Sequence, residues 1–250
     1  MPHGGNPARF LHARRIKLPP WGKLRGAYPL LIGSVSITAE SSEQPWTCIR
    51  ENEDGTGCVW QWNGADKFAM QLGDETAVYS LNPDQIVTAD PQLYWKSTAP
   101  ATVTAWYPVE ETVDLSEQSS GLAYVLKAEV PDTTCGKSVA LGFKHQLAKV
   151  RVTLKGSQAE KVTGVSLYTY PACTTDADHT TVTAFGTQEY IPMHEATYNG
   201  TKCWKANVVP SEVTAATSLV QLHIDEGSTV AVGVMGISEF EEGKVHYITL

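Results

Sequence analysis

Between residues 138 and 154 the apolar side chains alternate and then change phase. Val139, Leu141, Phe143 and Leu147 share one parity, whereas Ala148, Val150, Val152 and Leu154 share the other. Successive side chains of a strand point to opposite faces, so one uninterrupted strand cannot bury both sets on one side. A bulge, or a crossing from one sheet to another, at residues 146–148 reconciles the two halves. Such a pattern is expected of a strand that joins two sheets of a sandwich.

Shorter runs repeat the period of two. Val35 and Ile37 share a face, as do Val103, Ala105 and Tyr107, where Pro108 stops the run. Val165, Leu167 and Thr169 alternate with Ser166, Tyr168 and Tyr170 up to Pro171. Val220, Leu222 and Ile224 precede an Asp225-Glu226-Gly227 turn, and Val230, Val232 and Val234 follow it. These Val-, Thr- and Tyr-rich runs between turn residues are strand chemistry at sandwich spacing. No window keeps a helical period over three turns, and residues 121–130 come nearest to it. The fold class is therefore all-β. A polar stretch with Pro131 and Gly136 marks a boundary. The expected division is a basic leader without packed structure at 1–33, an N-terminal β-sandwich at 34–136 and a C-terminal β-sandwich at 137–250 lacking its last strands.

Charge is unevenly placed. Residues 1–25 carry Arg9, Arg14, Arg15, Lys17, Lys23 and Arg25 without an acid, while the whole chain carries -8. An acidic body disfavours nucleic acid as a partner, because phosphate binding needs a basic surface. The hydrophobic share of 42% belongs to a globular protein, and no run approaches the roughly 20 apolar residues of a membrane span. No apolar export core follows the basic residues. Cys48 and Cys58 flank a loop containing Asp54-Gly55, and Cys173 with Cys203 is a second conceivable bridge, although unpaired, partly buried thiols are the favoured reading. No CxxC is present, so a zinc site is not expected.

Chemical signatures are weak. Histidines lack a nucleophile elbow around any serine, and no HExxH or EF-hand array occurs. Asp176, Asp178 and His179 form the best oxygen-rich loop, read as a solvated turn. No catalytic, cofactor or metal residue is assigned, and no enzyme activity is expected. Trp60 and Trp62 share one face of a strand and are the candidate sugar-stacking pair, beside Tyr94-Trp95 and Trp106-Tyr107, with core packing the favoured alternative. His145 reads as a core histidine.

Taken together, several strings resemble one family. Residues 141–154 (LGFKHQLAKVRVTL) resemble the L-x-F-x-H-x-L-A-K-V-x-V segment of the Bacteroidales fimbrillin-like proteins, the type V pilin superfamily. Residues 101–108 (ATVTAWYP) look like that family's next upstream strand, and 113–118 like the acidic connection ending in Gln. Residues 206–210 and 240–250 are similar to its downstream elements. The resemblance implies two tandem transthyretin-like β-sandwiches. It also implies a fimbrial subunit or adhesin-like surface lipoprotein at the outer membrane, assembling with other fimbrial subunits by β-strand donation and able to bind host or bacterial surface ligands. In that family an Arg-specific protease removes an N-terminal strand, so Arg15 and Arg25 are candidate processing sites. The absent final strand would leave an open edge. A carbohydrate-binding surface protein is the alternative, and a secreted glycan hydrolase with paired carboxylates the second alternative.

Overall fold

The computed structural model describes residues 28–37, 50–51, 58–59, 67–81, 87–198 and 200–250. In chain order the strands are β1 (Leu31–Ile37), β2 (Arg50–Glu51), β3 (Cys58–Val59), β4 (Lys67–Leu72), β5 (Glu75–Leu81), β6 (Val87–Ala89) and β7 (Ala101–Tyr107). Next come β8 (Thr112–Asp114), β9 (Leu126–Thr133), β10 (Ser138–His145), β11 (Ala148–Thr153), β12 (Val162–Thr169), β13 (Ala172–Thr175) and β14 (Val182–Phe185). The last are β15 (Glu189–Pro192), β16 (His194–Tyr198), β17 (Thr201–Val208), β18 (Ser211–Glu212), β19 (Val220–Ile224), β20 (Thr229–Val232), β21 (Glu239–Phe240) and β22 (Val245–Thr249). Helix is confined to three single 3-10 turns among the described residues, so the all-β class holds.

Seven strands form one sheet in the order β1-β10-β9-β7-β4-β5-β6. Phe68 on β4 meets Phe143 on β10 edge-on with ring centroids 5.4 Å apart. Those strands are three places apart in the sheet, about 14 Å if it were flat, so the sheet curls around its own core. Phe68, Tyr79, Val103, Leu126, Leu141 and Phe143 lie in that core and are all but fully buried.

The phase change is realised as a crossing. Val139, Leu141 and Phe143 of β10 pack in the first core, whereas Ala148, Val150 and Val152 of β11 pack in a second. That second core lies between two four-stranded sheets, β16-β17-β11-β22 and β15-β12-β19-β20. The order is that of a sandwich, with each strand giving alternate residues to the interior. The backbone N–H of Gln146 donates to Val125 O at 2.9 Å at the crossing point.

Two expected bounds fall elsewhere in the structure. The stretch ending at Lys137 is a hairpin turn between β9 and β10, closed by Lys137 N–H donating to Thr134 O, with Gly136 at φ 81°. Strand β10 thus stays with the first sheet, and the change of core comes after His145. Polar turn residues signal a reversal of direction equally well whether it ends a hairpin or a domain. At the other end, packing begins before residue 34: Tyr28 and Leu30 are buried in the first core and β1 starts at Leu31.

The connection from β8 to β9 is clamped onto the second sandwich. β16 pairs with β17 only up to Lys205, which leaves Asn207 without a backbone neighbour on that side. Gln118, wholly buried, fills the gap. Its Nε2 donates to Asn207 O at 2.7 Å and its Oε1 accepts from Asn207 N–H at 2.9 Å. Asn207 Nδ2 in turn donates to Ala123 O at 2.7 Å. Gln118→Ala leaves two buried backbone groups unpaired, and the expected cost is about 2–4 kcal/mol, read as a lowered midpoint in chemical denaturation. Gln118→Glu keeps the acceptor but sets a buried carboxylate oxygen against Asn207 O, and is expected to be more damaging.

Candidate assembly edge and adjoining seam

Among the described residues β1 is an edge strand with a single neighbour. It runs parallel to β10, from Leu31 opposite Ser138 to Ile37 opposite Phe143, with a shift in register between Ile32 and Ser34. Gly33 lies at that irregularity, where a Cβ would sit 3.2 Å from both Cβ and Oγ of Ser138. A larger residue there would require the Ser138 side chain to shift by a few tenths of an ångström. Ile32, Val35 and Ile37 are half-buried against the first core, whereas Leu31 is 39% exposed. The segment is pinned upstream: Leu30 N–H donates to Leu93 O, and Trp95 N–H to Tyr28 O, each at 2.9 Å. Gln92 Nε2 adds a bond to Leu30 O.

Beside Ile32, Val35 and Ile37 lie their register partners on β10, Val139, Leu141 and Phe143, none more than 2% exposed. Taking β1 away would open an apolar slot bordered by the unpaired edge of β10. Half-burial of three branched side chains contributes about 3 kcal/mol in total, modest beside a whole core. The strand is therefore held less firmly than its neighbours. Val35→Asp is expected to weaken its docking by about 2 kcal/mol, seen as faster proteolytic cleavage near residue 37 while the second sandwich stays intact.

A seam joins the first sheet to the three-stranded sheet β14-β13-β8. His179, at φ 50° in the loop after β13, stacks on Trp106 of β7 with centroids 3.9 Å apart. Its Nδ1 shares a hydrogen with Thr175 Oγ1 at 2.9 Å. Glu110, Lys127 and Gln146 line the gap alongside, which is about the size of one water. Burial pushes the His179 imidazole below its ordinary pKa, against the opposing pull of Asp176 and Glu111. His246 is likewise lowered by burial, and its Nε2 accepts the Glu241 N–H at 3.0 Å. Both rings are thus held neutral. For a histidine so lowered, the stability is fully present above the ordinary value of about 6.5 and lost as pH falls below it. Unfolding free energy should therefore decline between about pH 7 and 5, and the double variant His179→Gln, His246→Gln should flatten that slope.

Other sequence candidates meet different fates. Trp60, Trp62, Arg15 and Arg25 lie outside the described residues. Trp95 and Trp106 are 2% and 8% exposed, so those rings are core and not platform; Tyr94 alone of the four neighbouring rings is markedly exposed. His145 is buried, its ring 6.0 Å from that of Tyr124. Asp176 spends its carboxylate on its own loop, accepting from the N–H groups of Thr180 and Thr181 and from the Thr180 hydroxyl. These bonds close the loop on itself. Cys135, Cys173 and Cys203 are buried and form no disulfide with one another, so the Cys173–Cys203 bridge is not formed. The fold separates them: Cys173 lies in the three-stranded sheet, Cys203 on β17. The sequence gives no hint of the Ser166 Oγ to His223 Nε2 contact at 2.8 Å, made across β12 and β19. Ser166 is buried on the sheet's outer face, which suits a packing role. Among the described residues no helix is long and apolar enough to cross a membrane.

The described residues thus form a curled sheet joined by a crossing strand to a sandwich. The chain belongs to the fimbrillin-like family, whose model matches residues 51–250. Its fold is shared with crystal structures of candidate cell adhesion proteins from three Bacteroides species. With that of B. ovatus the TM-score is 0.63 at 13% identity, covering 89% of this chain and 92% of the other. With that of B. uniformis it is 0.55 at 19% identity, covering 80% and 92%. With that of B. thetaiotaomicron it is 0.54 at 15% identity, covering 90% and 92%. Among curated proteins, none matches the chain.

Proposed function

We propose that this chain is a non-enzymatic fimbrial subunit or adhesin-like lipoprotein of the cell surface, joined to other subunits by exchange of an edge strand at β10. Its two sandwich modules would meet where the chain crosses between sheets after His145. The observation that carries the reading is β1: an uncharged strand that, among the described residues, has one neighbour, β10, and lies beside its buried Val139, Leu141 and Phe143. A neighbour's strand could occupy the same place, forming the same ladder and filling the same pockets with alternate side chains. Membership of the fimbrillin-like family and the cell-adhesion descriptions of its structural relatives support the assignment.

The position of β1 constrains the processing scheme. Cleavage after Arg15 or Arg25 would trim the basic leader yet leave the Tyr28 anchor and β1 attached. Release of β1 needs a cut beyond Ile37, where Arg50 is the first arginine of the sequence.

Ser34 and Ala140 are register partners across β1 and β10, which gives a direct assay. Ser34→Cys and Ala140→Cys are placed on separate molecules in which Cys48 and Cys58 are serine, then mixed and oxidised. Strand exchange predicts disulfide-linked dimers that accumulate with time. Linkage seen only when both cysteines share one molecule would reject exchange.

A further inference from the structure

The two faces of the sheet β15-β12-β19-β20 differ in kind. Val165 and Leu167 of β12 turn inward to the second core. Residues of the other parity turn outward, and the register sets them side by side: Tyr168 beside Tyr190, Ser166 between Pro192 and Gln221, Gly164 beside His223. β20 continues this face with Thr229 and Ala231, both exposed. Tyr168, Tyr190, Pro192, Gln221 and His223 are half-buried, which leaves the face open to solvent. Asp, Glu, Lys and Arg are absent from it, although they make up 18% of the chain. Solubility alone favours charged side chains on an open sheet face.

Local geometry lays the rings of this face along one strand. Gly164 lies at a shift in the β12–β19 register, and its φ is outside the left-handed region, so the backbone alone does not demand glycine there. What it provides is room. The His223 ring spans from Gly164, where a Cβ would sit 3.7 Å from His223 Cδ2, to Ser166, whose Oγ lies 2.8 Å from Nε2. The imidazole thus runs along β12, and Ser166 is its positioning residue. Further along, Tyr168 meets Tyr190 edge to face with ring centroids 5.2 Å apart. The Tyr190 hydroxyl donates to Ser218 O at 2.7 Å, which fixes that ring. From Gly164 to Tyr168 the row is about 13 Å long, more than one sugar ring can cover.

We propose that this face binds a neutral polysaccharide, one chain lying along β12. Tyr168 and Tyr190 pack against the C–H faces of sugar rings. His223 and the Gln221 amide exchange hydrogen bonds with hydroxyl groups, since each can donate and accept. Charge selects the ligand class. A face without cations, on a chain of net charge -8, gives an acidic polysaccharide nothing to pair with and repels it. Leu, Ile, Val, Met and Phe are absent from the face as well, so it lacks the apolar centre of a protein–protein interface. The assignment names a ligand class for the adhesin part of the proposed function and rests on that part, whereas strand exchange at β10 is independent of it.

Affinity electrophoresis of the full chain tests this, in native gels containing mannan, laminarin, galactomannan or xyloglucan, with heparin and polygalacturonate as acidic counterparts. The expected result is retardation by at least one neutral polymer and by neither acidic one. Tyr168→Ala and Gln221→Lys should each weaken that binding by about tenfold or more. Ala231→Lys should weaken it too, at an exposed position where folding is retained, while Val78→Lys, exposed on the first sheet, should not. Matching denaturation midpoints verify the fold of each variant. Unchanged mobility in every neutral gel overturns the proposal, as does equal retardation by the acidic polymers or of the face variants. Self-association that Gln221→Lys abolishes, without retention by any glycan, gives the face to a second copy and overturns it too. The cysteine assay of β1 exchange does not touch this face. Exchange without glycan retention therefore sinks the ligand class alone, and retention without exchange sinks strand exchange alone.

Discussion

The structure depends on one crossing. Strand geometry forbids a single face from burying residues of both parities, and the chain answers by changing sheets after His145. With that change, β10 completes the curled first sheet and β11 becomes an inner strand of the second sandwich, paired with β17 on one side and β22 on the other. Nearly everything else is arranged around these two adjoining strands. Because the crossing is short, the two cores are held close, and little room remains for independent movement at that point.

A second tie keeps the arrangement in place. The Gln118 amide acts as a small piece of strand, offering one donor and one acceptor to the backbone of Asn207 where β16 has run out. A side chain that mimics a peptide group can do this only if it is fully enclosed and correctly oriented, since both lone partners would otherwise be desolvated without return. The stack of His179 on Trp106 adds a further tie, between the three-stranded sheet and the first sheet. Edge strands contrast with these internal ties. Among the described residues β1 and β20 are each paired on one side, and neither carries a charge. Rigid cores with replaceable or extendable edges are the physical combination that a subunit of a polymer requires.

Much of this was legible in the residues, and the reasons for the rest are specific. Alternation is a local property, so strands such as 101–107 and the phase change near residue 147 could be read directly. The ordered strings that resemble fimbrillin-like proteins led to the family that the comparison shows. Sheet membership is not local. The turn at residues 134–137 looks the same whether it closes a hairpin or separates two domains, and only pairing of β10 with β9 and β1 decides it. Tyr28 and Leu30 show no period of their own, so nothing local marks them as packed; they bond to Leu93 and Trp95, more than sixty residues away. Gln118 was visible as a motif position, but its partner on β17 was not. The candidate rings at Tyr94-Trp95 and Trp106-Tyr107 show the same limit, since alternation tells which side a ring takes and not whether that side is covered.

The central claim is that β1 is a replaceable strand on an otherwise firm sheet. Amide hydrogen exchange resolved along the isolated full-length chain tests it most directly. The account predicts that amides of β1, and those of β10 bonded to it, exchange well before those of β4, β7 and β9, through opening that leaves the rest of the sheet protected. Uniform protection, with β1 exchanging only on global unfolding, would contradict it.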